Sequence, residues 1–508
     1  MKNIFKWIGV LTLSISIYSC NDNYFDVNTP SNAVSADKIA MKDVLSPCIQ
    51  YTMNAQFNAA SNIALVDQHI TTIVQDRQGI DNQYLATLDG YWRIVYTQAL
   101  PNIQVLEQKA IASNSSHYLG IAKVLKAINI GFTTDLYGDI PYSEATYGST
   151  INYPKYDSQQ AIYTEVIKLL DESIALFSSA NTSALAPGGE DLIYGGKIAN
   201  WTKAAYTFKA RFQLHLSKVN GATATANAVL TSLSKGFTSN ADDFQLKYNS
   251  VNINPWYSTQ VGLFTGNVFY AISSHFISYM NGSVSGVFPF TTPTLSMDPR
   301  LPLLVDMRSY SSAGVTGTQP TLAASYIGTA NGTGASSSAK IGTQLFYSKI
   351  DSPLVYLTYS EAKFMEAEAQ FILAGGTATS TGSNAAAYAA YKAGITANMD
   401  KIGVATADKT AYLADTSIDK GAGALELKDI MRQKFIALFL NPETFTDYRR
   451  YDFSSNAFKN LKIPVNTDPV NGGKWMRRIV YSTNERSANA ANYSANFKPM
   501  ITPVWWDK

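Results

Sequence analysis

The sequence predicts a mainly α-helical protein, in which consecutive helix pairs form a superhelix beside a large, irregular, loop-rich region. Two blocks of the chain, at about 38–235 and about 355–450, contain segments with apolar residues at helical spacing. Between them, at about 236–354, Ser, Thr, Gly and Asn are frequent and charged residues are few. The last segment, about 451–508, is also irregular and rich in Asn. No strict repeat period is visible, so helical periodicity alone supports this prediction.

The first block contains two predicted helices that a short polar break, residues 113–116, separates. The first begins at Asp89. Pro101 inside it should bend the helix, because proline lacks an N–H donor and clashes with the preceding turn. The second follows the polar break, and Gly138 should end it in a left-handed cap.

Further apolar stripes predict the remaining helices. Asp157 and Gln160 resemble a capping box that opens a third helix, and Trp201 begins the apolar stripe of a fourth. In the second block, three more stripes have the same spacing; they begin at Ala362, Tyr388 and Leu427.

The central region differs in character from both blocks. It contains several aromatic residues among its polar ones, and residues 311–338 resemble an elaborated surface loop. Long segments without regular structure are uncommon in compact proteins and are usually functional. We therefore expect ligand binding to involve this region.

The N-terminus resembles the signal peptide of an exported bacterial lipoprotein. Two lysines precede an apolar stretch, residues 7–18, which is too short to span a membrane and suits a secretory signal. The sequence Ile-Tyr-Ser-Cys that ends at Cys20 resembles a lipobox. Residues 1–19 are therefore predicted to be cleaved, Cys20 to carry the lipid and residues 20–37 to form a tether. The alternative is an ordinary secretory signal with an incidental cysteine.

Composition excludes several functional classes. Removal of residues 1–19 takes away two lysines, which leaves the basic residues equal in number to the 38 acidic ones. This balance offers no electrostatic footprint for nucleic acid. If Cys20 is acylated, Cys48 has no partner for an intramolecular disulfide. Aromatic residues make up 12%, with 31 tyrosines, and such side chains suit surfaces that bind flat polar ligands.

The sequence gives no support to metal chemistry, and we expect no cofactor. The four histidines have no metal-ligand spacing; they are His69, His117, His215 and His275. His215 shares a helical face with Phe208 and Phe212, which favours a packed core histidine.

Candidate catalytic residues have simpler structural interpretations. Asp139 and Glu144 surround a Gly- and Pro-containing helix end, and Asp447 next to Arg449–Arg450 predicts a partly buried ion pair. A glycosidase needs two carboxylates about 5–10 Å apart. Acidic residues close together in sequence occur in any chain of this length and do not by themselves indicate such a site; here they are 190–191, 242–243 and 366 with 368.

Particular motifs resemble the SusD/RagB-like outer-membrane lipoproteins of Bacteroidota. Residues 135–145, D-L-Y-G-D-I-P-Y-S-E-A, are similar to the family signature D-x-Y-G-D-[IV]-P-Y-x-E-A. Further family motifs follow in order along essentially the whole chain; they lie at 92–103, 201–216, 359–369, 433–450 and 481–507.

The resemblance implies a single SusD-like domain at 38–508, with tetratricopeptide-like helix pairs packed against irregular structure. It also implies a non-catalytic role in the cell outer membrane, where a lipid-anchored, surface-exposed protein captures nutrient glycans. The implied partner is a TonB-dependent, SusC-like transporter, over which the lipoprotein lies as a lid.

The family's ligand contacts come partly from the segment before the W-x3-Y helix, which is 75–84 here. We expect Trp256 or Tyr257 to supply the main stacking platform, and Arg77 and Asn82 to bond ligand oxygens. The alternative is that the aromatic rings fill the core of the irregular region. The predicted ligand-binding residues are Arg77, Asn82, Tyr84, Trp256, Tyr257 and Tyr279.

Two other functions stay open at this point. The same fold could bind peptide or another non-glycan cargo, and a surface glycoside hydrolase is the less favoured alternative. The sequence names neither the sugar nor its linkage nor the transporter.

Overall fold

Helices dominate the computed structural model of the protein, which describes residues 39–73, 79–84, 87–146, 150–265, 270–292, 295–334 and 339–508. Residues from Met41 to Lys508 form one unit. The predicted signal peptide, Cys20 and the tether lie outside the described residues, as does Arg77. None of the described helices combines the length and apolar character needed to cross a membrane.

The first block contains the helices that the sequence predicts, near Asp89, Ser116, Gln159 and Trp201, together with three that no predicted stripe identified. They are α1 (Met41–Val66), α2 (Asp89–Ile94), α3 (Leu100–Ala112), α4 (Ser116–Tyr137), α5 (Gln159–Ser178), α6 (Ile198–His215), α7 (Ser217–Asn220) and α8 (Ala222–Leu233). The central region contains the short helices α9 (Pro255–Gln260), α10 (Ser274–Met280) and α11 (Leu301–Leu304). The later helices are α12 (Tyr359–Leu373), α13 (Ala385–Ile402), α14 (Thr406–Ala414), α15 (Leu427–Ala437), α16 (Glu443–Arg450), α17 (Thr483–Ala488) and α18 (Ala490–Asn496).

The helical array continues from one block to the other without the central region. Helices α3 to α6 pack in sequence, α6 packs on α8, α8 packs on α12, and α12 packs on α13 and α15. Small side chains let α6, α8 and α12 approach closely; the shared core is Ala210, Leu214, Ala226, Val229, Ala362, Met365 and Ala369. The predicted helical superhelix is therefore confirmed.

The predicted helix that contains Pro101 is interrupted just before this residue. A π-helical turn, Val95–Ala99, separates α2 from α3, and Pro101 lies in the first turn of α3. Proline has no N–H for the carbonyl of Thr97 and its ring clashes with that carbonyl, so the wider turn relieves the conflict.

The C-terminal end of α4 and the N-terminal start of α5 differ from their predictions. Gly138 follows α4 with φ +83° and ψ −123°, which is a positive φ outside the left-handed helical region, and a Cβ there would overlap the Arg478 guanidinium. The predicted capping box at Asp157 is wrong by one residue. Ser158 caps α5 by accepting from Ala161 N at 3.3 Å. Asp157 does not cap the helix, because its carboxylate accepts from the backbone N–H groups of residues 142 and 143, earlier in the chain.

Short antiparallel strand pairs attach the central region to the helical blocks. The strands are β1 (Ile70–Thr72), β2 (Ile140–Pro141), β3 (Tyr156–Asp157), β4 (Phe244–Leu246), β5 (Tyr270–Ile272), β6 (Ser309–Ser311), β7 (Gly314–Thr316) and β8 (Leu354–Leu357). Strand β1, just after α1, pairs with β5, and β4 pairs with β8, just before α12. The pairs β2–β3 and β6–β7 are local hairpin-like contacts. Both ends of the central region are thereby fixed.

A buried ion pair connects the two helical blocks, and others lie within the second block. Arg211 of α6 donates from Nε and Nη2 to the Glu361 carboxylate of α12, at 2.7 and 2.6 Å. Arg450 of α16 contacts Glu368 of α12 at 2.7 Å and Asp447 at 3.0 Å. The predicted ion pair of Asp447 is confirmed, and Glu368 is a partner that the sequence did not indicate.

His215, at the end of α6, lies in the core as its helical face predicts, and it carries charge there. Its Nε2 lies 2.7 Å from Glu443 Oε1 and its Nδ1 lies 3.2 Å from Asp135 Oδ2. Burial alone would lower the pKa of His215, but the carboxylates of Glu443 and Asp135 raise it to about 9. The imidazolium therefore joins α4, α6 and α16 through two opposite charges.

We expect His215 to make folding stability fall as pH rises above neutrality. Its folded pKa of about 9 exceeds the ordinary value of 6.5, so the protonated form is preferred in the folded state. This contribution is fully present below pH 6.5, is lost as pH rises through 9, and amounts to about 3 kcal/mol.

Urea unfolding of the wild type and of His215→Gln from about pH 6 to about pH 9.5 measures this effect. The wild type should lose about 3 kcal/mol relative to the variant over that range, because glutamine does not titrate. Parallel stability curves for the two proteins would contradict the assignment.

Candidate ligand-binding site

A cavity of about 380 Å³ opens just beyond α1, where the central region meets the helical blocks. Gln68 forms its base, α10 contributes Ser274, His275 and Ser278, and the remaining walls are residues 330–331 and 460–465. Four segments that are distant in sequence therefore meet at this cavity. Its volume falls in the range of about 300–1,000 Å³ that is usual for small-ligand sites.

Asp81 holds one rim of the cavity in place. Its carboxylate is 1% exposed and accepts hydrogen bonds from Thr71 Oγ1 at 2.8 Å and from the backbone N–H of Thr72 at 3.3 Å. It also accepts from Asn331 Nδ2 at 2.6 Å and from Gly332 N at 3.1 Å. One buried carboxylate thereby attaches the lining turn at 331–332 to β1.

Asn331 is the second anchor of this rim. Its Nδ2 donates to the carbonyl oxygens of Leu65 and Ile70 at 3.1 and 2.9 Å, in addition to Asp81. Its Oδ1 accepts from Ser273 Oγ at 2.6 Å, directly before α10. All polar atoms of this amide are engaged, so the turn, the end of α1 and the start of α10 are fixed relative to one another.

The wall of the cavity carries little charge. Among its described lining residues, Lys462 and His275 alone have basic side chains, and none is acidic. Burial lowers the pKa of His275 to about 3, so its imidazole is neutral there. His275 Nε2 has no hydrogen-bond partner among the described residues. Hydroxyl, amide and neutral imidazole groups of this kind both donate and accept hydrogen bonds, which suits an uncharged polar ligand.

Of the residues predicted in segment 75–84, Asn82 lies at the rim of this cavity. Asn82 is 2% exposed, its carbonyl accepts from Asp468 N at 3.3 Å, and its side chain lies against Gly332. It therefore supports the rim rather than facing a ligand. Tyr84 is half-buried, and Arg77 belongs to the undescribed residues between them and β1.

The predicted aromatic residues do not converge on one site. Tyr279 is 1% exposed, with its hydroxyl donating to Lys459 O at 3.0 Å, behind the cavity wall. Trp256 is 2% exposed and packs edge-to-face on Phe57 of α1, with 5.1 Å between ring centroids. Neither ring offers a face to solvent, because both fill the core of the irregular region. Tyr257 is half-buried and lies with Trp256 on α9.

Sequence reasoning missed Asp81 and Asn331, the two residues that build the rim. Asp81 lies in the segment that the sequence singled out, but its function depends on an amide 250 residues further along the chain. The polar character of residues 79–84 was the signal that the sequence offered for Asp81. Its partner Asn331 could not be identified without the fold.

The carboxylates considered for catalysis have structural partners. Asp139 Oδ1 accepts from Gln159 N at 2.8 Å, and Glu144 pairs with Lys155 at 2.6 Å. The other pairings involve Glu190 with Tyr118, Asp242 with Lys203, Asp243 with Lys401, and Glu366 with Lys363. Within the described parts of the chain, no group of three or more His, Cys, Asp or Glu side chains is placed to hold a metal ion.

Comparisons with known proteins agree on the fold. A SusD-like family model, described as starch-binding and associating with the outer membrane, matches residues 31–481. No curated protein matches the sequence significantly.

Three solved structures illustrate the structural likeness. A SusD/RagB family protein from Bacteroides thetaiotaomicron has a TM-score of 0.72 at 22% identity, with 92% of this chain and 99% of that one covered. A chitin-binding protein has 0.69 at 24%, with coverage of 92% and 100%. A chitin-binding SusD homologue from Flavobacterium johnsoniae has 0.67 at 20%, with coverage of 92% and 98%.

We expect Asp81→Asn to loosen the rim of the cavity. A carboxamide places N–H donors where Asp81 accepts hydrogen bonds, so buried donors lose their acceptor at a cost of about 1–3 kcal/mol. Chemical denaturation measures the loss. Asp351→Asn makes the same change at an exposed position and should leave stability near wild type. Equal stability of the two variants would exclude Asp81 as the anchor.

Proposed function

The chain belongs to the SusD-like family, and we propose that it is a lipid-anchored protein of the outer membrane that captures nutrient glycans. In this proposal it passes the glycan to a TonB-dependent, SusC-like transporter and does not cleave it. Cys20 carries the lipid, and the cavity beyond α1 is the capture site.

The chemistry of the cavity wall is the observation that carries the glycan assignment. Sugars are uncharged and present many hydroxyl groups, so their recognition needs side chains that donate and accept. Ser274, Ser278 and the neutral His275 provide such groups on α10, and no acidic side chain is among the described lining residues. The apolar side chains of Ile463, Pro464 and Val465 offer contact for the C–H faces of a sugar.

The structure changes which residues we propose to contact the ligand. Tyr84 and Arg77 stay as proposed ligand contacts, whereas Asn82 lies against Gly332 at the rim of the cavity. The stacking role proposed for Trp256 does not fit its burial. The half-buried Tyr257 stays a proposed stacking residue on α9, outside the lining of the cavity. Tyr279, itself a residue of α10, attaches that helix to the carbonyl of Lys459.

We expect Ala330→Trp to block capture at the cavity. Ala330 is exposed and lines the cavity, so an indole there occupies ligand space without disturbing the core. Ala324→Trp places the same side chain on a nearby exposed residue that does not line the cavity. The measurement is binding to an array of α-glucan, chitin and other oligosaccharides with peptides included, followed by calorimetry on the best ligand.

Ala330→Trp should bind fewer oligosaccharide molecules at saturation than the wild type, and Ala324→Trp should match the wild type. Identical binding by all three proteins would exclude the cavity. Binding of peptides and of no glycan would replace the glycan assignment by peptide cargo.

We expect Cys20→Ala to release the protein from the membrane fraction. Each buried methylene contributes about 0.8 kcal/mol to membrane attachment, and two acyl chains give a stable anchor that the variant lacks. Cys48→Ala is the matched control, because Cys48 is a free thiol buried in α1. Radioactive palmitate should label the wild type and Cys48→Ala, and labelling of Cys20→Ala would refute the anchor.

A further inference from the structure

A second uncharged surface runs along the middle of α1. Gln50, Asn54 and Phe57 are half-buried and share one face of the helix. Gln50 Nε2 donates to Asn54 Oδ1 at 3.0 Å, which leaves Asn54 Nδ2 as a donor without a partner among the described residues. The Phe57 ring is supported from behind by the buried Trp256. A ring and an oriented amide therefore lie side by side.

The opposite wall is a turn that its own side chains hold in shape. Asn249 Oδ1 accepts from the backbone N–H groups of Val251 and Asn252, each at 2.8 Å. Asn254 Oδ1 accepts from the N–H groups of Trp256 and Tyr257 at 2.7 and 3.1 Å, and this fixes the start of α9. The wall needs little ordering when a ligand binds, which lowers the entropic cost of binding.

Together these walls enclose an open groove of about 500 Å³ whose described lining contains no charged side chain. Its polar groups are amides and hydroxyls, from Gln50, Asn54, Asn252 and Ser258, and its rings are Phe57 and Tyr248. Anionic polymers and charged peptides find no counter-charge here. Aromatic rings next to amides fit a sugar, whose C–H face packs on a ring while its hydroxyls bond to the amides.

The groove is separate from the cavity. Phe57 lies nine residues before Val66 at the end of α1, which corresponds to about 14 Å along the helix at 1.5 Å per residue. The cavity begins beyond that end, at Gln68, and the two sites share no lining residue.

We propose that this groove is a second glycan-binding site, which holds another stretch of the same uncharged polysaccharide. The proposal rests on the proposed function, since it takes the ligand to be a glycan. Two sites on one chain convert the second contact into an intramolecular event, so a long glycan gains affinity that a short one does not.

Ser258→Trp tests the groove without a change in the core. Ser258 is exposed, lines the groove and lies near the carbonyl of Asn254 one turn earlier, with Oγ at 3.4 Å. Ser178→Trp is the matched control, because Ser178 is an exposed helical serine whose Oγ donates to Ile174 O, also one turn earlier. Asn54→Ala, with the half-buried helical Asn102→Ala as its control, removes without added bulk the amide whose Nδ2 has no partner among the described residues.

Calorimetry with maltoheptaose and chitohexaose, and gel retardation by soluble starch and glycol chitin, provide the readouts. We expect two oligosaccharides per wild-type chain, one in Ser258→Trp, one in Ala330→Trp and none in the double variant. Asn54→Ala should weaken the groove's affinity at least tenfold, and both groove variants should reduce retardation by the polymer. The two control variants should behave as wild type.

The possible failures are distinguishable. Binding that Ala330→Trp abolishes and Ser258→Trp leaves unchanged would overturn the groove and uphold capture at the cavity. Binding that Ser258→Trp abolishes and Ala330→Trp leaves unchanged would uphold the groove and overturn the cavity. No binding of either oligosaccharide or polymer by the wild type would overturn the groove as a site for these glycans, together with the proposed capture of them.

Discussion

The carboxylate of Asp135 is the buried charge on which the rest of the structure depends. It accepts from the Tyr163 hydroxyl of α5 and from Trp506 Nε1 near the C-terminus, and it pairs with His215 of α6. His215 in turn contacts Glu443 of α16. One connected set of polar contacts thus joins the first helical block, the second block and the last residues. Taking such charges out of water costs several kcal/mol per ion, and the cost is offset only when every partner is in place. The network therefore tolerates one arrangement of these helices.

That arrangement decides where the irregular region lies. Strand β5 attaches to β1 just after α1, and β4 attaches to β8 just before α12, so both attachments are to elements that the helical array already positions. The central region then fills its own core with buried rings such as Trp256 and Tyr279. Its turns form one side of the groove, opposite α1, and its residues 274–278 and 330–331 line the cavity together with Gln68 and residues 460–465.

Much of the helical part is predictable because helices that pack on one another place apolar residues at helical spacing in the sequence. The stripes from Trp201 and Ala362 form helices as expected, and Asp447 pairs with an arginine one turn away. The sequence of the irregular region has no such periodic spacing. The sequence around an aromatic residue of this region is similar whether its side chain is buried or exposed. The pattern therefore does not separate a stacking platform from a core residue, and Trp256, expected as a platform, packs on Phe57 instead. The rim at Asp81 escaped prediction for a related reason: its partners come from another segment, and only the fold brings them together.

The burial of Cys48 has a practical consequence for study of the protein. Burial raises the pKa of its thiol, so little of the reactive thiolate exists at neutral pH. Cys20 and Cys48 are the two cysteines of the chain, and a protein produced from residue 21 onward retains the second alone. Such a protein offers a silent background for maleimide chemistry. A cysteine introduced at Val251, which is 93% exposed at the tip of the ordered turn, would then be the one reactive thiol, at which a fluorophore or a crosslinker can report what approaches the groove.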